Sequence, residues 1–349
     1  MNLNKPEPIV GGSGPDSDVV VSSRVRLARN IAGFPFVNKA SDPQRHEILN
    51  MVRRCRFPEK TASDMIWVDM MQATPHDRQL LVERHLISKQ FADESSPRGV
   101  AITSDETISI MVNEEDHLRI QSMVSGFGLQ DAFGSIDEFD RQLAESMDFA
   151  FDERWGYLTA CPTNVGCGIR LSVMLHLPAI RMSNELDRVK RAAQELHLAV
   201  RGSHGEGSEV RGDFYQISNQ VTLGRSEEEL LDDFCLKVVP ALVNYERSAR
   251  EKIMDQKPEL LDDRVHRARA VLQHARLLGT DESLKLLSRV ALGVCLERFN
   301  DLELPDVHRL FLQIQPSHLR SSIGDPQASD ETLRIARANL VRAALSGTG

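Results

Sequence analysis

Alternating polar and apolar residues predict several short β-strands between residues 18 and 223. A period of two, typical of a strand with one buried face, is found in DVVVSSRVRLAR (18–29), DETISIMV (105–112), WGYLTACP (155–162) and FYQISNQVTL (214–223). Apolar residues at helical spacing predict helices at 43–55, 75–90, 116–148, 178–199 and 226–254. Because no regular strand–helix–strand repeat connects these elements, we predict an α+β domain with an antiparallel sheet.

The pattern changes near Lys257, beyond which almost every segment is predicted to be helical. An apolar stripe with helical spacing comprises Leu261, Val265, Ala268, Leu272 and Ala275. We therefore predict a flexible N-terminal lead-in at 1–17, a main α+β domain at 18–256 and an all-helical C-terminal domain at 257–349. A small helical domain of this kind often contacts partners or another copy of the chain.

Composition and charge exclude several classes of protein. The chain has 349 residues, is 41% hydrophobic and carries a formal net charge of −9, which argues against a nucleic-acid-binding protein. No apolar run is long enough to span a bilayer, and the N-terminus lacks the apolar centre of a signal peptide. The five cysteines form no CxxC or zinc-type spacing, which favours reduced thiols in a cytoplasmic protein without a bound structural metal.

The first candidate site lies in the stretch SSRVRLAR. Alternate residues of a strand share a face, so Ser22, Arg24 and Arg26 point the same way. Two guanidinium groups and a hydroxyl on one face could bind an anion with several oxygens, such as a polyphosphate. The alternative is an ordinary solvated strand face with surface ion pairs.

Two glycine-rich stretches add further candidates. In TACPTNVGCGIR, Arg170 could bind another phosphate oxygen, and Cys161 is either a tuned thiolate or an inert core residue. In RGSHGEGSE, Arg201 and Glu206 flank a loop that could close over a substrate.

A third stretch, MVNEEDHLRI, combines three consecutive acids with Arg119. The acids Glu114, Glu115 and Asp116 could form a solvated turn, a metal site or a binding site for an organic cation. The sequence contains neither a P-loop nor the protein-kinase signature set, so a nucleotide would be held by arginines.

The combination of candidate arginines with the separate acids Glu115 and Glu206 suits an enzyme that joins a phosphoryl group to a guanidinium. A protonated guanidinium is a poor nucleophile because its pKa is above ~12. Paired carboxylates can hold it, orient one nitrogen toward the phosphorus and accept its proton. Phosphoryl transfer otherwise depends on positioning and on neutralising the transferred oxygens.

Five motifs, in the order SSRVRLARN, NEEDHLRIQ, CPTNVGCGIR, RGSHGEGSE and YQISNQVTLG, cover roughly residues 18–250. With them the sequence resembles the phosphagen (guanidino) kinases, and within them the bacterial protein arginine kinases of the McsB type. The resemblance implies an antiparallel sheet flanked by helices, of the glutamine-synthetase-like kind, at 18–256. It also implies transfer of the γ-phosphoryl group of ATP to arginine side chains in proteins, which gives N-phospho-L-arginine.

The resemblance further implies roles for individual residues. ATP, with Mg²⁺ held mainly through its phosphates, would be bound by Ser22, Ser23, Arg24, Val25, Arg26, His85, Arg119, Arg170, Leu171, Ser172, Val173, Met174, Arg201, Gly202, Ser203, His204 and Gly205. The catalytic residues would be Glu115, Glu206 and Cys161, with the two carboxylates on the guanidinium and the cysteine beside it. No protein-bound metal site is implied.

The sequence also departs from this family. The helical N-terminal domain of animal phosphagen kinases is missing, which favours an arginine on a protein over a free guanidino compound. The C-terminal domain resembles the dimerising domain of the bacterial kinases, which implies a homodimer, a zinc-binding activator protein and a Clp-type unfoldase as partners in degradation during stress. The family's Arg-Asp-x-x-Arg-Ala motif is matched by residues 333–338 only in its second half. The alternatives are a kinase for free arginine or another small guanidino compound, and an inactive arginine-binding regulatory protein.

Overall fold

An antiparallel sheet of eight strands forms the centre of the molecule. The computed structural model describes residues 14–55, 65–202 and 212–346. The strands are β1 (Val20–Arg29), β2 (Met65–Asp69), β3 (Gly99–Thr103), β4 (Ile108–Val112), β5 (Leu118–Ser125), β6 (Phe151–Asp152), β7 (Gly156–Tyr157), β8 (Ile169–His176), β9 (Leu198–Gly202) and β10 (Phe214–Asn219). The large sheet has the order β2-β3-β4-β5-β1-β8-β10-β9, and β6 pairs with β7 in a small hairpin. The predicted fold class is confirmed.

Strand β1 lies in the middle of the sheet and has two faces of opposite character, as its alternating sequence predicts. Val25 and Leu27 are buried in the main hydrophobic core together with Val173 of β8. Arg24 and Arg26 point to the opposite face of the sheet, because successive side chains of a strand alternate between faces. The two faces therefore divide the sheet into a packing side and a polar side.

Helices pack on both sides of the sheet. They are α1 (Asp42–Arg54), α2 (Pro75–Glu83), α3 (Lys89–Asp93), α4 (Leu129–Ser146), α5 (Pro178–Met182), α6 (Leu186–Glu195), α7 (Glu227–Asp233) and α8 (Val239–Gln256). Helix α4 packs on β1 and β5, with Leu129, Ile136 and Leu143 in the core. A second cluster, which contains Leu81 of α2 and Phe91 of α3, packs on β3 and β4.

The chain beyond Lys257 is helical wherever it is described. It forms α9 (Pro258–His274), α10 (Thr280–Cys295), α11 (Leu304–Gln313), α12 (Pro316–Ile323) and α13 (Asp330–Leu345). The predicted apolar stripe of α9 is buried, since Leu261 and Leu272 are both 0% exposed. Leu287 of α10 belongs to the same hydrophobic cluster as Val173 of the sheet, so the C-terminal helices share a core with the rest of the molecule. No helix in the described ranges is long and apolar enough to cross a membrane.

The prediction of a mostly helical segment at 116–148 is wrong for its first part. Residues Leu118–Ser125 form β5, which pairs with β1 on one side and with β4 on the other. Leu118 and Ile120 are both fully buried, and the alternate residue Arg119 lies on the polar side of the sheet. Pairing with two neighbouring strands outweighs local helical spacing here, because strand formation depends strongly on tertiary context.

The helices predicted at 75–90 and 178–199 are each interrupted. Helix α2 ends at Glu83, and His85 follows with a φ of +58°, in the left-handed region that ends a right-handed helix. Asn184 has the same φ of +58° and separates α5 from α6. These breaks turn the chain back toward the sheet, which brings His85 to its polar side.

Helix α2 is joined to the start of α12 across the polar side of the sheet. The Glu83 carboxylate accepts hydrogen bonds from the backbone N–H of Ser317 at 2.9 Å and of His318 at 3.2 Å. Nδ1 of His318 lies 3.1 Å from the same carboxylate, and Nε2 of His76 lies 2.9 Å from Oγ of Ser321. We call this contact the α2–α12 junction; an acid at a helix N-terminus is also favoured by the helix dipole.

Replacing Glu83 by Ala should destabilise the protein by about 1–3 kcal/mol, because buried N–H groups that lose a charged acceptor are left unsatisfied. The measurement is the free energy of unfolding in urea. Glu138→Ala, at an exposed position of α4, is the control and should change stability by less than about 0.5 kcal/mol. Equal stability of the two variants would show that the junction contributes nothing.

Candidate active site

A cavity of about 440 Å³ lies on the polar side of the sheet. Its floor consists of side chains from β1, β5, β8 and β10, and one wall comes from the segment that follows α2. Eight residues predicted to bind a nucleotide line it: Ser22, Arg24, Arg26, His85, Arg119, Ser172, Met174 and Arg201. The structure thus brings together positions from five separate parts of the sequence.

The arginines in and beside this cavity lie close enough to repel one another. Arg24 donates to Oε1 of Gln216 at 2.7 Å. Burial, with the nearby charges of Arg119 and Arg170, lowers the pKa of Arg24 to about 9. Burial and the charges of Arg24, Arg119 and Arg170 hold the pKa of Arg26 well below its usual range. Crowded cations in a concave site are suited to binding an anion that carries several charges.

The three consecutive acids lie in a turn, not in an extension of β4. Strand β4 ends at Val112, where the predicted strand also ends, and Asn113 has a φ of +65°, so the chain turns before it reaches Glu115. In a strand, Glu114 and Asp116 would share one face and Glu115 would lie on the other, whereas the turn frees the three carboxylates from this alternation.

Two of the three acids are occupied by contacts within the protein. Glu114 is buried, pairs with Arg119 and accepts a hydrogen bond from Ser88. Asp116 is buried and accepts hydrogen bonds at 2.6 Å from Nδ2 of Asn30 and from the backbone N–H of Ala160. These contacts give both acids structural roles.

Glu115 is the exposed acid of the turn, and its side chain lies near Cys161. Partial burial and the charges of Asp116 and Glu114 raise the pKa of the Glu115 carboxyl, while Arg119 and the contact with Cys161 oppose this shift. Sγ of Cys161 also lies 3.0 Å from Oγ1 of Thr163. A carboxylate with a raised pKa is suited to accept a proton from a bound cation.

The turn that carries Glu115 is directly connected to the arginines of the cavity. Arg119 lines the cavity and pairs with Glu114. Glu115, which follows Glu114 in the chain, lies near Cys161. A phosphate held by the arginines would therefore lie on one side of this turn, and a guanidinium held by Glu115 on the other.

Four residues predicted as nucleotide ligands have side chains that the structure does not bring to the cavity. Val25, Leu171 and Val173 are at most 1% exposed and lie in the hydrophobic core, on the packing side of the sheet. Ser23 is also buried, where its Oγ donates to the carbonyl of Gly126 at 2.8 Å. The reason is the alternation of faces along β1 and β8.

The remaining predicted residues lie beside the cavity or outside the described ranges. Arg170 pairs with Arg26 in the β1–β8 register and donates to Oγ of Ser218 at 3.0 Å. Arg201 and Gly202 belong to β9. The predictions for residues 203–206, which are Ser203, His204, Gly205 and the proposed second acid Glu206, fall outside the described residues.

Two polar residues of the site were not predicted from the sequence. The C-terminal wall of the cavity, which is the part lined by residues of α10, α11 and the start of α12, was also not predicted. Gln216 holds Arg24 and lines the cavity, and Ser88 holds Glu114. The alternation in FYQISNQVTL could have indicated Gln216, since it shares a face of β10 with Ser218. Seven cavity residues come from α10, α11 and the start of α12: Thr280, Leu284, His308, Phe311, Leu312, Gln315 and Pro316.

The partial Arg-Asp-x-x-Arg-Ala motif lies away from this cavity, on α13. Arg337 is 2% exposed and donates to the carbonyls of Ile314 and Leu278, both at 2.8 Å. Leu333, where the motif has its first arginine, packs in a small apolar cluster with Leu319. In this chain the segment holds helices together through backbone contacts.

Two families of known proteins match this sequence in consecutive segments. Residues 49–249 match the C-terminal catalytic domain of the ATP:guanido phosphotransferases. Residues 258–348 match the protein-arginine kinase McsB C-terminal domain.

Individual relatives match over nearly the full chain. A protein-arginine kinase of Moorella thermoacetica is 41% identical over 350 residues, which covers 99% of both chains. A protein-arginine kinase of Halothermothrix orenii is 40% identical over 337 residues, which covers 97% of this chain and 96% of the relative.

Solved structures agree with the fold. The duplicated taurocyamine kinase of Schistosoma mansoni superposes with a TM-score of 0.62 and 28% identity, over 71% of this chain and 35% of that chain. A lombricine kinase superposes with a TM-score of 0.61 and 25% identity, over 73% and 75% of the two chains. The chain belongs to the ATP:guanido phosphotransferase family, as a member that carries the McsB-type C-terminal domain.

Proposed function

We propose that the protein transfers the γ-phosphoryl group of ATP to the guanidinium of arginine side chains in proteins, giving N-phospho-L-arginine. The observation that carries this proposal is the arginine-lined cavity directly beside the exposed Glu115 and its contact with Cys161. Its relatives named protein-arginine kinase support the choice of a protein as acceptor.

In this proposal Arg24, Arg26 and Arg119 bind the phosphate oxygens, and they neutralise the charge that spreads over the transferred group. Their mutual repulsion in the absence of an anion is relieved when the polyphosphate binds. Arg170 lies next to Arg26 and Ser218, and adds positive potential from the neighbouring strand.

Glu115 binds the acceptor guanidinium, orients one nitrogen toward the phosphorus and accepts its proton. Cys161 holds the Glu115 carboxylate on one side and places a polarisable sulfur next to the cation. Glu206 is proposed, from the sequence alone, as the second carboxylate of the pair.

Mg²⁺ would be bound mainly by the phosphates and by water, as in many nucleotide sites. Among the described residues there is no group of three His, Cys, Asp or Glu that could hold a metal ion. When bound, the ion would add charge neutralisation at the phosphates.

We further propose a division at Lys257 between a catalytic part, residues 18–256, and a C-terminal part, residues 257–349, that contacts a second copy or other partners. In the cytoplasm, phosphorylation would mark proteins for Clp-type degradation, with a zinc-binding activator protein as a partner. These proposals rest on the family resemblance and on the helical C-terminal part.

The proposed reaction is tested by incubating the protein with Mg-ATP and either an unfolded, arginine-containing protein or free arginine. We expect acid-labile phosphoarginine on the protein acceptor, detected by mass spectrometry and ³¹P NMR. The same acceptor with every arginine changed to lysine is the control and should stay unmodified. Phosphorylation of free arginine alone would contradict the proposal.

A further inference from the structure

We propose that helices α10, α11 and α12 form a subsite for the purine base of the nucleotide, so that the C-terminal part completes the ATP site. This rests on the proposed function in taking ATP as the nucleotide. The subsite would be the part of the cavity beside the Phe214–Phe311 ring contact, and we call it the C-terminal lobe. Its lining residues from the helices are Thr280, Leu284, His308, Phe311, Leu312, Gln315 and Pro316.

The cavity has two chemically different ends. Arg24 and Arg26 lie opposite Ser172 and Arg170 of β8, whereas Phe214 lies opposite His176, where that strand ends. The crowded charges of the arginines favour a polyanion at their end of the cavity. Leu284 and Phe311 belong to the C-terminal lobe, whose side chains are mainly apolar and aromatic. A nucleotide has the same division, with a charged polyphosphate at one end and an uncharged heteroaromatic base at the other.

Aromatic rings in the C-terminal lobe are held in fixed positions. Phe214 of β10 and Phe311 of α11 meet edge to face, with ring centroids 4.6 Å apart and an interplanar angle of 88°. Phe214 is also stacked on His176, with centroids 4.9 Å apart. Rings fixed by such contacts can receive a planar base at a low cost in conformational entropy.

The side chains that α10, α11 and α12 contribute to the C-terminal lobe are uncharged at neutral pH, and the nearby Glu83 carboxylate is engaged by the start of α12. Burial lowers the pKa of His308 to about 4, so its imidazole is uncharged at neutral pH. The other lining residues from α10 to α12 carry no ionisable groups. Thr280 and Gln315 add hydroxyl and amide groups that can hydrogen-bond to ring nitrogens or to an exocyclic amine.

The cavity is large enough for a nucleotide, and Gln216 lies between its two ends. A volume of about 440 Å³ lies within the range of about 300–1,000 Å³ that small-molecule sites usually have. Gln216 lines the cavity, binds Arg24 at 2.7 Å and lies on the strand that carries Phe214. The α2–α12 junction forms part of the cavity wall, since Glu83 also lines the cavity.

The test compares binding of ADP and of inorganic tripolyphosphate by calorimetry, in the full-length protein. Phe311→Ala removes an aromatic surface, and Thr280→Trp fills the C-terminal lobe from a half-buried position. Both should weaken ADP binding by about tenfold or more, since stacking of a base on an aromatic ring is worth about 1–3 kcal/mol. Tripolyphosphate binding should change by less than about twofold, because its ligands are at the other end.

Leu310→Ala is the matched control, because Leu310 is buried in α11 but does not line the cavity. It should leave the affinities for both ligands unchanged, even where it lowers stability. Unchanged ADP affinity in both lobe variants, or an equal loss for ADP and tripolyphosphate, would overturn the proposal. A wild-type protein that binds ADP through the lobe but forms no phosphoarginine would instead overturn the proposed function alone.

Discussion

Glu115→Gln should lower the rate of phosphoryl transfer by roughly 10²–10⁴-fold, because it removes the group that accepts the proton of the guanidinium. Binding of ATP should be nearly unchanged, since the arginines of the cavity and the Glu114–Arg119 pair remain. The measurement is the initial rate of phosphoarginine formation on a protein acceptor, together with calorimetry of ATP binding. Glu153→Gln, an exposed acid in the turn between β6 and β7, is the control and should keep full activity.

The pH dependence gives a second readout for Glu115. Its pKa is raised in the folded protein, so the rate should fall with decreasing pH at a higher pH than for an ordinary carboxylate. A raised folded-state pKa means that the ionised form opposes folding above that pKa, and this cost is absent below the unfolded-state pKa. Glu115→Gln should therefore be at least as stable as wild type at neutral pH. Normal turnover by this stable variant would contradict the proposed role.

Arg26→Met should weaken ATP binding by roughly 10–100-fold, as expected for the loss of a charged hydrogen bond to a phosphate. It should also stabilise the protein in the absence of nucleotide. The pKa of Arg26 is depressed in the folded state, so its charged form opposes folding at neutral pH, and this cost disappears only at high pH. Within the described residues, Nε of Arg26 is buried without a hydrogen-bond partner.

Calorimetry of ATP binding and thermal unfolding with and without ATP measure both effects of Arg26→Met. Arg191→Met, at an exposed position of α6, is the matched control and should alter neither quantity. A variant with lower stability and wild-type ATP affinity would show that Arg26 serves the fold and not the nucleotide.

The sequence allowed the polar face of β1 to be predicted because the alternation of SSRVRLAR is strict and local. Arg24 and Arg26 do share one side of the sheet, and Val25 and Leu27 share the other. The same alternation means that only every second residue of a strand motif can point its side chain toward the cavity. Val25 matches the family motif, yet its side chain lies in the core.

Other features could not be read from local patterns. Strand β5 has residues with helical spacing, and its extended state depends on pairing with β1 and β4. The local sequence pattern does not distinguish Glu114 from Glu115, and it is the family resemblance that singles out Glu115. Only the three-dimensional contacts show that Glu114 is held by Ser88 and Arg119, while Glu115 stays exposed. The C-terminal wall of the cavity is likewise a result of tertiary packing.

The α2–α12 junction has a consequence for the order in which a newly synthesised chain acquires its activity. Glu83, which lines the cavity, and Ser317, which donates to it, are 234 residues apart in sequence. Domains form during translation from the N-terminus onward. A nascent chain whose C-terminal helices are still inside the ribosome lacks the C-terminal wall of the cavity, even when its sheet is complete. We therefore expect full kinase activity only after the whole chain has been released from the ribosome.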